Sequence, residues 1–154
     1  MKRLRRWLRR TAIGLAVLAV MFSCMQVIPY GRTHDNPEHR IEPKWDSPRT
    51  RELAVRACFG CHSNETQWPW YSNVAPISWN VISHVNDGRG SMNFSNWPEG
   101  PEEAGDLLDK VCKEVKNGHM PIPQYTWMHA EATLTDADRK RLCDWANKAA
   151  GDLY

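Results

Sequence analysis

The chain of 154 residues has no charged residue from Thr11 to Gly31 and no acidic residue before Asp35. The missing charge leaves 21 consecutive uncharged residues, which as a helix would extend roughly 31 Å, about the thickness of a bilayer's hydrocarbon core. Six Lys and Arg residues lie within residues 1–10. A basic cluster ahead of an apolar run predicts a transmembrane helix at 11–30 whose N-terminal side, residues 1–10, stays in the cytoplasm.

The sequence does not decide whether this segment is cleaved. Its apolar run is longer than that of an ordinary signal peptide, and Ser23-Cys24-Met25-Gln26 is a poor cleavage site. Acylation of Cys24 stays open, although the bulky Phe22 disfavours it. We expect an uncleaved single-pass anchor in the inner (cytoplasmic) membrane, with the C-terminal part in the periplasm.

The excess of positive charge disappears once the basic N-terminus is set aside. The rest of the chain holds 14 Lys and Arg against 18 Asp and Glu, a formal charge of −4. A mildly acidic domain lacks the basic surface that neutralises phosphates. We therefore expect no nucleic-acid partner.

No stretch of the chain alternates apolar and polar residues as a strand does. Capping residues, prolines and apolar spacing predict helices instead: Pro48–Phe59, from Pro76 to a stop at Asp87-Gly88, from Pro101 to Asn117-Gly118, and from an N-cap at Thr135 to near the C-terminus. The segments between them are expected to be loops, among them 65–73, 91–100 and 119–133. The prediction is an all-α domain of about four helices at 47–154, preceded by a linker at 31–46 and the transmembrane helix.

A second C-x-x-C is also missing. Cys58-Phe59-Gly60-Cys61-His62 is the one C-x-x-C-H of the chain. A zinc site would need another pair of ligands at suitable spacing. A thioredoxin-like redox pair would need a strand before it, whereas residues 49–57 are charged and helix-like. Both interpretations are disfavoured.

The same five residues are the attachment signature of c-type haem. Positions i and i+3 of a helical turn share a face, so Cys58 and Cys61 can each form a thioether to one vinyl group. His62 then lies beneath the porphyrin and can bind the iron as its proximal ligand. The expected cofactor is one covalent haem c.

The sixth iron ligand must come from another part of the chain. Candidates are the neutral sulfur and imidazole ligands Met92, Met120, Met128, His84, His119 and His129. Met120 is favoured because it follows a helix stop at Gly118 and precedes Pro121, which restricts the backbone around it. A His/Met iron has a raised reduction potential. His119 is the alternative ligand.

Four further residues carry open predictions. Cys112 and Cys143 lie on predicted helices and form either a disulfide or two buried thiols in an oxidising compartment. Arg89 and Trp79 are candidate hydrogen-bond donors to a haem propionate, and a solvated arginine is the alternative for Arg89.

These motifs resemble class I c-type cytochromes and, more closely, the bacterial haem-binding domain family of small membrane-anchored monohaem cytochromes. The resemblance covers nearly everything after the apolar run, through Val27–Arg32, Cys58–Thr66, Trp68–Ser72, Pro76–Trp79, Asn93–Ser95, Gly118–Pro121 and His129–Thr135. It implies a cytochrome c-like fold around one covalent haem. His119 departs from the family, which usually has an acidic residue before Met-Pro.

The function expected from the sequence is single-electron transfer. No general acid–base pair or nucleophile constellation is evident, so we do not expect an enzyme. We expect redox protein partners to dock at the haem edge through a small transient interface. The alternative is a haem-based ligand sensor or a peroxidase-like enzyme in which Met120 is displaceable.

Overall fold

The computed structural model describes residues 2–153, and within that range the chain is helical, with no strand. The α-helices are α1 (Lys2–Met25), α2 (Pro48–Ala57), α3 (Phe59–His62), α4 (Ile77–Ser91), α5 (Pro101–Lys116), α6 (Pro123–Met128) and α7 (Asp136–Gly151). Short 3₁₀ turns occupy Trp70–Asn73 and Ala130–Ala132. The all-α prediction with an N-terminal helix is confirmed.

Local capping residues start the helices where the sequence predicts. The Ser47 side chain accepts a hydrogen bond from the Thr50 amide ahead of α2, and Pro48 follows at the first helical position. Thr135 and Asp138 form a reciprocal capping box at the start of α7. These short-range signals succeed because each one involves residues within a single turn.

Three predicted features differ from the structure. α2 ends at Ala57 and not at Phe59, where the separate short helix α3 begins. α4 does not stop at Asp87-Gly88 but continues to Ser91. A glycine inside a helix costs only about 1 kcal/mol, which tertiary packing of Gly88 offsets. The predicted loop 119–133 contains α6, which Pro123 begins because its restricted φ suits a first helical turn.

The chain divides into two compact units. The first unit comprises the chain up to Asp35 together with Trp68–Ser83. In it, α1 is long and apolar enough to cross a membrane. The second unit comprises Asn36–Gln67 and the chain from His84 onward.

The second unit is built on the pairing of α5 with α7, which a disulfide between Cys112 and Cys143 joins covalently. Its core is apolar and aromatic, with Phe94, Leu108, Leu142 and Trp145 almost fully buried. Burial of such side chains contributes roughly 1.5–3 kcal/mol each. This core provides the rigid support on which the neighbouring loops are held.

Part of the predicted linker packs against this core. Trp45 stacks on Trp145 with 4.4 Å between ring centroids, and the Trp145 indole N–H donates to the Lys44 carbonyl at 3.0 Å. Ile41 forms an isolated parallel bridge with Asn96. Residues 36–46 therefore lack helix but belong to the second unit.

Candidate functional site

The C-x-x-C-H residues form a tight turn directly after α2. Cys58 is the C-cap residue of α2. Its carbonyl accepts hydrogen bonds from the amides of Cys61 at 3.1 Å and His62 at 2.9 Å. This turn brings both cysteines and the histidine to the wall of one cavity of about 310 Å³. The helical spacing predicted from the sequence thus produces a shared wall.

Residues from α4, from the loop after α5 and from α6 complete the lining of this cavity. Met120 and Pro121 border it, together with His84, Asp87 and Tyr125. An adjoining cavity of about 70 Å³ shares Cys58, His62 and Met120 with the first, and Lys110 also borders it. The exposed lining of both cavities is mainly apolar, which suits a flat apolar group with a few polar contacts.

Backbone carbonyls at the end of α4 orient the His62 imidazole. Nδ1 lies 3.0 Å from the Gly88 oxygen and 3.2 Å from the Met92 oxygen. Because a carbonyl oxygen can only accept, Nδ1 carries the proton and Nε2 keeps its lone pair. Burial lowers the pKa of His62, although these two hydrogen bonds oppose the shift. The imidazole is therefore neutral at neutral pH and has the form that ligates a metal.

Gly88 makes this contact sterically feasible. A Cβ added at Gly88 would lie 2.5 Å from the Cys61 carbonyl oxygen and 3.1 Å from the Cys61 Cβ. Only glycine lets the α4 backbone approach the C-x-x-C-H turn so closely. The sequence offers no local sign of this role, because Gly88 and His62 are 26 residues apart.

Both cysteines of the motif are free thiols here, and they border the cavity. Burial raises the pKa of Cys58 to about 12, with a smaller contribution from Cys61. Burial also raises the pKa of Cys61 to about 11, against the opposing positive charge of Arg89. The thiols are thus protonated and weakly nucleophilic in this folded form.

The loop after α5 separates the two predicted distal ligands. The Glu114 carbonyl accepts the amides of His119 and Met120, at 3.0 and 3.2 Å. The His119 side chain is 67 % exposed, and its Nδ1 lies 3.0 Å from a Glu114 carboxylate oxygen. Met120, in contrast, borders both cavities. Arg139 of α7 donates to the Val115 carbonyl at 2.6 Å and more weakly to that of Met120, which holds the loop in place.

Neither predicted propionate donor is among the residues that line the two cavities. The Arg89 guanidinium donates to the Ser63 carbonyl at 2.7 Å, to the Thr66 hydroxyl at 3.0 Å and to the Asn36 side chain at 2.9 Å. These hydrogen bonds hold in place the segment that follows the C-x-x-C-H motif. Trp79 belongs to the first unit, where its indole nitrogen is buried and has no hydrogen-bond partner among the described residues. A propionate role for either residue stays a prediction.

Some polar residues border the cavities although they were not candidates in the sequence analysis: Asp87, Ser91, Lys110, Glu114 and Tyr125. His84, one of the candidate sixth ligands, also borders the larger cavity, from α4 one turn before Gly88. Lys110 and Tyr125 come from α5 and α6, and only the tertiary fold brings them to the cavity wall.

Comparisons with known proteins agree with the geometry. A family model described as a haem-binding domain matches residues 20–148, well over half of the chain. Searches of curated proteins and of solved structures found no match.

Proposed function

We propose, since the chain belongs to the haem-binding domain family, that it carries single electrons as a membrane-anchored monohaem c-type cytochrome. Family membership makes it a haem protein. The covalent attachment, the ligand pair, the periplasmic location and the redox role are the proposal.

The observation that carries the proposal is the meeting of four groups at one cavity. Cys58, Cys61 and His62 border it from the turn after α2, and Met120 borders it from the loop after α5. This donor set fits a haem: two thiols for the vinyl groups, a neutral imidazole and a neutral thioether. When bound, the haem iron supplies one-electron exchange between its ferrous and ferric states.

The chain's own residues have separate tasks in this proposal. Cys58 and Cys61 would hold the cofactor covalently, each thiol adding across one vinyl group so that its sulfur binds one vinyl carbon and its hydrogen goes to the other. His62 offers Nε2 as the proximal ligand, and the carbonyls on its Nδ1 increase the electron donation of the ring. Met120 offers its sulfur as the distal ligand and excludes other ligands.

A carrier of this kind needs rigid ligands more than a substrate pocket. The Arg139 hydrogen bonds hold the Met120 loop, and the α4 carbonyls hold the His62 ring. Ligands that stay in place in both oxidation states keep the energy of reorganisation low. We propose that a redox protein partner docks at the haem edge through a small transient interface.

The test compares Met120→Ala with His119→Ala in the full haem-loaded chain. In the wild type, the haem should remain on the chain after denaturation, as an added mass. Its spectrum should show the methionine-to-iron charge-transfer band in the red. The protein should not take up carbon monoxide. Met120→Ala should lose the band and take up the gas. His119→Ala should keep the wild-type spectrum, because His119 is paired with Glu114 at the surface.

The outcomes separate the functions. A haem released by denaturation would refute covalent attachment. Wild-type protein that takes up carbon monoxide in a high-spin state would refute the carrier and favour a ligand sensor or a peroxidase-like enzyme. Wild-type protein that is low-spin but lacks the band, together with a high-spin iron in His119→Ala alone, would assign the distal position to His119.

A further inference from the structure

One segment of the first unit contributes no residue to the lining of either cavity. Trp68–Ser83 contains no Asp, Glu, Lys or Arg but includes three tryptophans and one tyrosine. Tryptophan and tyrosine are enriched where a bilayer meets water, because each ring has an apolar body and one polar group. In the same unit, the one helix that is long and apolar enough to span a membrane is α1.

Hydrogen bonds fasten this segment to the end of α1. The Gln26 side chain, directly after the helix, donates to the Ala75 carbonyl at 2.9 Å and accepts from the Ala75 amide at 3.0 Å. Gly31 has φ +78°, and a Cβ there would lie 2.7 Å from the Ser78 carbonyl oxygen. His34 stacks on Trp68 with 4.6 Å between centroids. Three separate contacts therefore keep the segment beside the C-terminal end of α1.

The length of the uncharged helix places that end at the bilayer surface. Thr11–Met25 is helical and uncharged, and it extends only about 22 Å. The hydrocarbon core is about 30 Å thick. Snorkelling of Arg9 and Arg10 covers part of the difference on one side. On the other side, the membrane boundary must fall beyond Met25, at the residues that hold the Trp68–Ser83 segment.

The segment exposes apolar side chains there. Trp70 is 76 % exposed and Ile77 is 50 % exposed, and Val27, Ile28 and Tyr30 are also exposed in the stretch after α1. Exposed apolar residues of this size, in a segment that itself holds no charged residue, indicate contact with another apolar phase. Because these residues follow directly on the apolar span of α1 or are held beside its end, we identify that phase as lipid.

We propose that Trp68–Ser83 is a membrane-seating segment, which lies in the outer interface of the phospholipid bilayer and inserts Trp70 and Ile77 between the lipid headgroups. The proposal rests on the proposed anchoring of α1 in the membrane. The attraction is apolar, because the segment has no charge with which to select anionic headgroups.

Photo-crosslinking of the full haem-loaded chain in phosphatidylcholine vesicles tests this. A benzophenone amino acid is introduced in place of Trp70, in place of Ile77, and in place of Lys140 as a control that is 75 % exposed on α7 of the second unit. The two positions in the segment should form lipid adducts several-fold more often than position 140. The haem spectrum of each variant checks that the second unit is folded.

Carbonate extraction of the same vesicles separates this inference from the anchoring on which it rests. A chain that resists extraction and gives lipid adducts at 70 or 77 supports the membrane-seating segment. A chain that resists extraction but forms no more adduct at 70 and 77 than at 140 overturns the segment and leaves the anchor intact. A chain that carbonate extracts overturns both.

Discussion

The Gly88 carbonyl illustrates how one residue can orient His62, the proposed proximal ligand. It accepts His62 Nδ1 at 3.0 Å, the Met92 amide at 3.0 Å and the Ser91 hydroxyl at 3.2 Å. The oxygen lies near the C-terminal end of α4, where the helix dipole is negative. A hydrogen bond from the imidazole to this oxygen increases the basicity of the ring, and at the proposed haem site it would stabilise ferric iron more than ferrous iron.

Replacement of Gly88 by alanine tests this arrangement. The new Cβ would force α4 away from Cys61, so Gly88→Ala should lower the free energy of unfolding by about 1–3 kcal/mol and raise the reduction potential. Gly90→Ala is the matched control, because a Cβ there meets no atom within 4 Å among the described residues. It should leave the potential unchanged and stabilise the helix by up to about 1 kcal/mol.

Chemical denaturation and redox titration of the two haem-loaded variants measure these effects. Equal potentials in Gly88→Ala and Gly90→Ala would show that the close approach of α4 does not tune the iron. Equal stabilities would show that α4 can shift without cost.

At the scale of elements, an ion pair joins the extended segment before α2 to α2 itself. Arg51 of α2 donates to Glu42 at 2.8 and 2.5 Å, and the Trp45 indole donates to the same carboxylate at 2.6 Å. Burial alone would raise the pKa of Glu42, but the hydrogen bonds from Arg51 and Trp45 outweigh it and lower the pKa. The ionised form is therefore favoured by the fold.

This shift gives the pH dependence a definite sign. A lowered folded-state pKa means that the ionised Glu42 contributes stability above its ordinary pKa of 4.5, and that this stability is lost as the pH falls through the lower value. Glu42→Gln should therefore lower the melting temperature at about pH 7 and change it little at about pH 3. Thermal melts across this range measure it, with Glu52→Gln, an exposed glutamate of α2, as control. A constant difference between wild type and Glu42→Gln at all pH values would contradict the assignment.

The disulfide links two other elements, α5 and α7. Cys112 and Cys143 close a loop across 31 positions of sequence, for which the loss of chain entropy in the unfolded state contributes roughly 2–4 kcal/mol. The double replacement Cys112→Ser with Cys143→Ser should lower the free energy of unfolding by about that amount. Denaturation with and without a reductant measures it, and Cys24→Ser, at an exposed free thiol, should change nothing. Stability that does not respond to the reductant would argue against the bond in solution.

Prediction of elements succeeded where their signals are local. The Ser47 and Thr135 caps and the Gly118 stop act within one turn, and α2, α5 and α7 begin or end at these residues or next to them. It failed for the end of α4, since a contact between Gly88 and Cys61 overrides the usual effect of glycine on a helix. It also missed α6, whose six residues carry too little periodicity to recognise.

At the scale of the whole molecule, the proposed anchoring of the chain depends on the uncharged stretch of α1. Val20→Arg places a charge within this stretch and should cost about 3 kcal/mol of insertion. Val27→Arg places the same charge at the end of the span, from where the long side chain can snorkel to water, and should cost little. The carbonate-resistant fraction of each variant measures the difference. Equal retention of both variants in the membrane would refute α1 as the span.

The C-x-x-C-H signature, the uncharged run of α1 and most helix ends can be read from the sequence, because each of these depends on residues close together in the chain. Which groups share a cavity follows only from the folded chain. Folding brings Met120 to the wall that holds Cys58 and His62, and it pairs His119 with Glu114 at the surface. It also sets which carbonyls orient the His62 imidazole, because contacts between residues 26 or more positions apart follow from packing and from no local pattern.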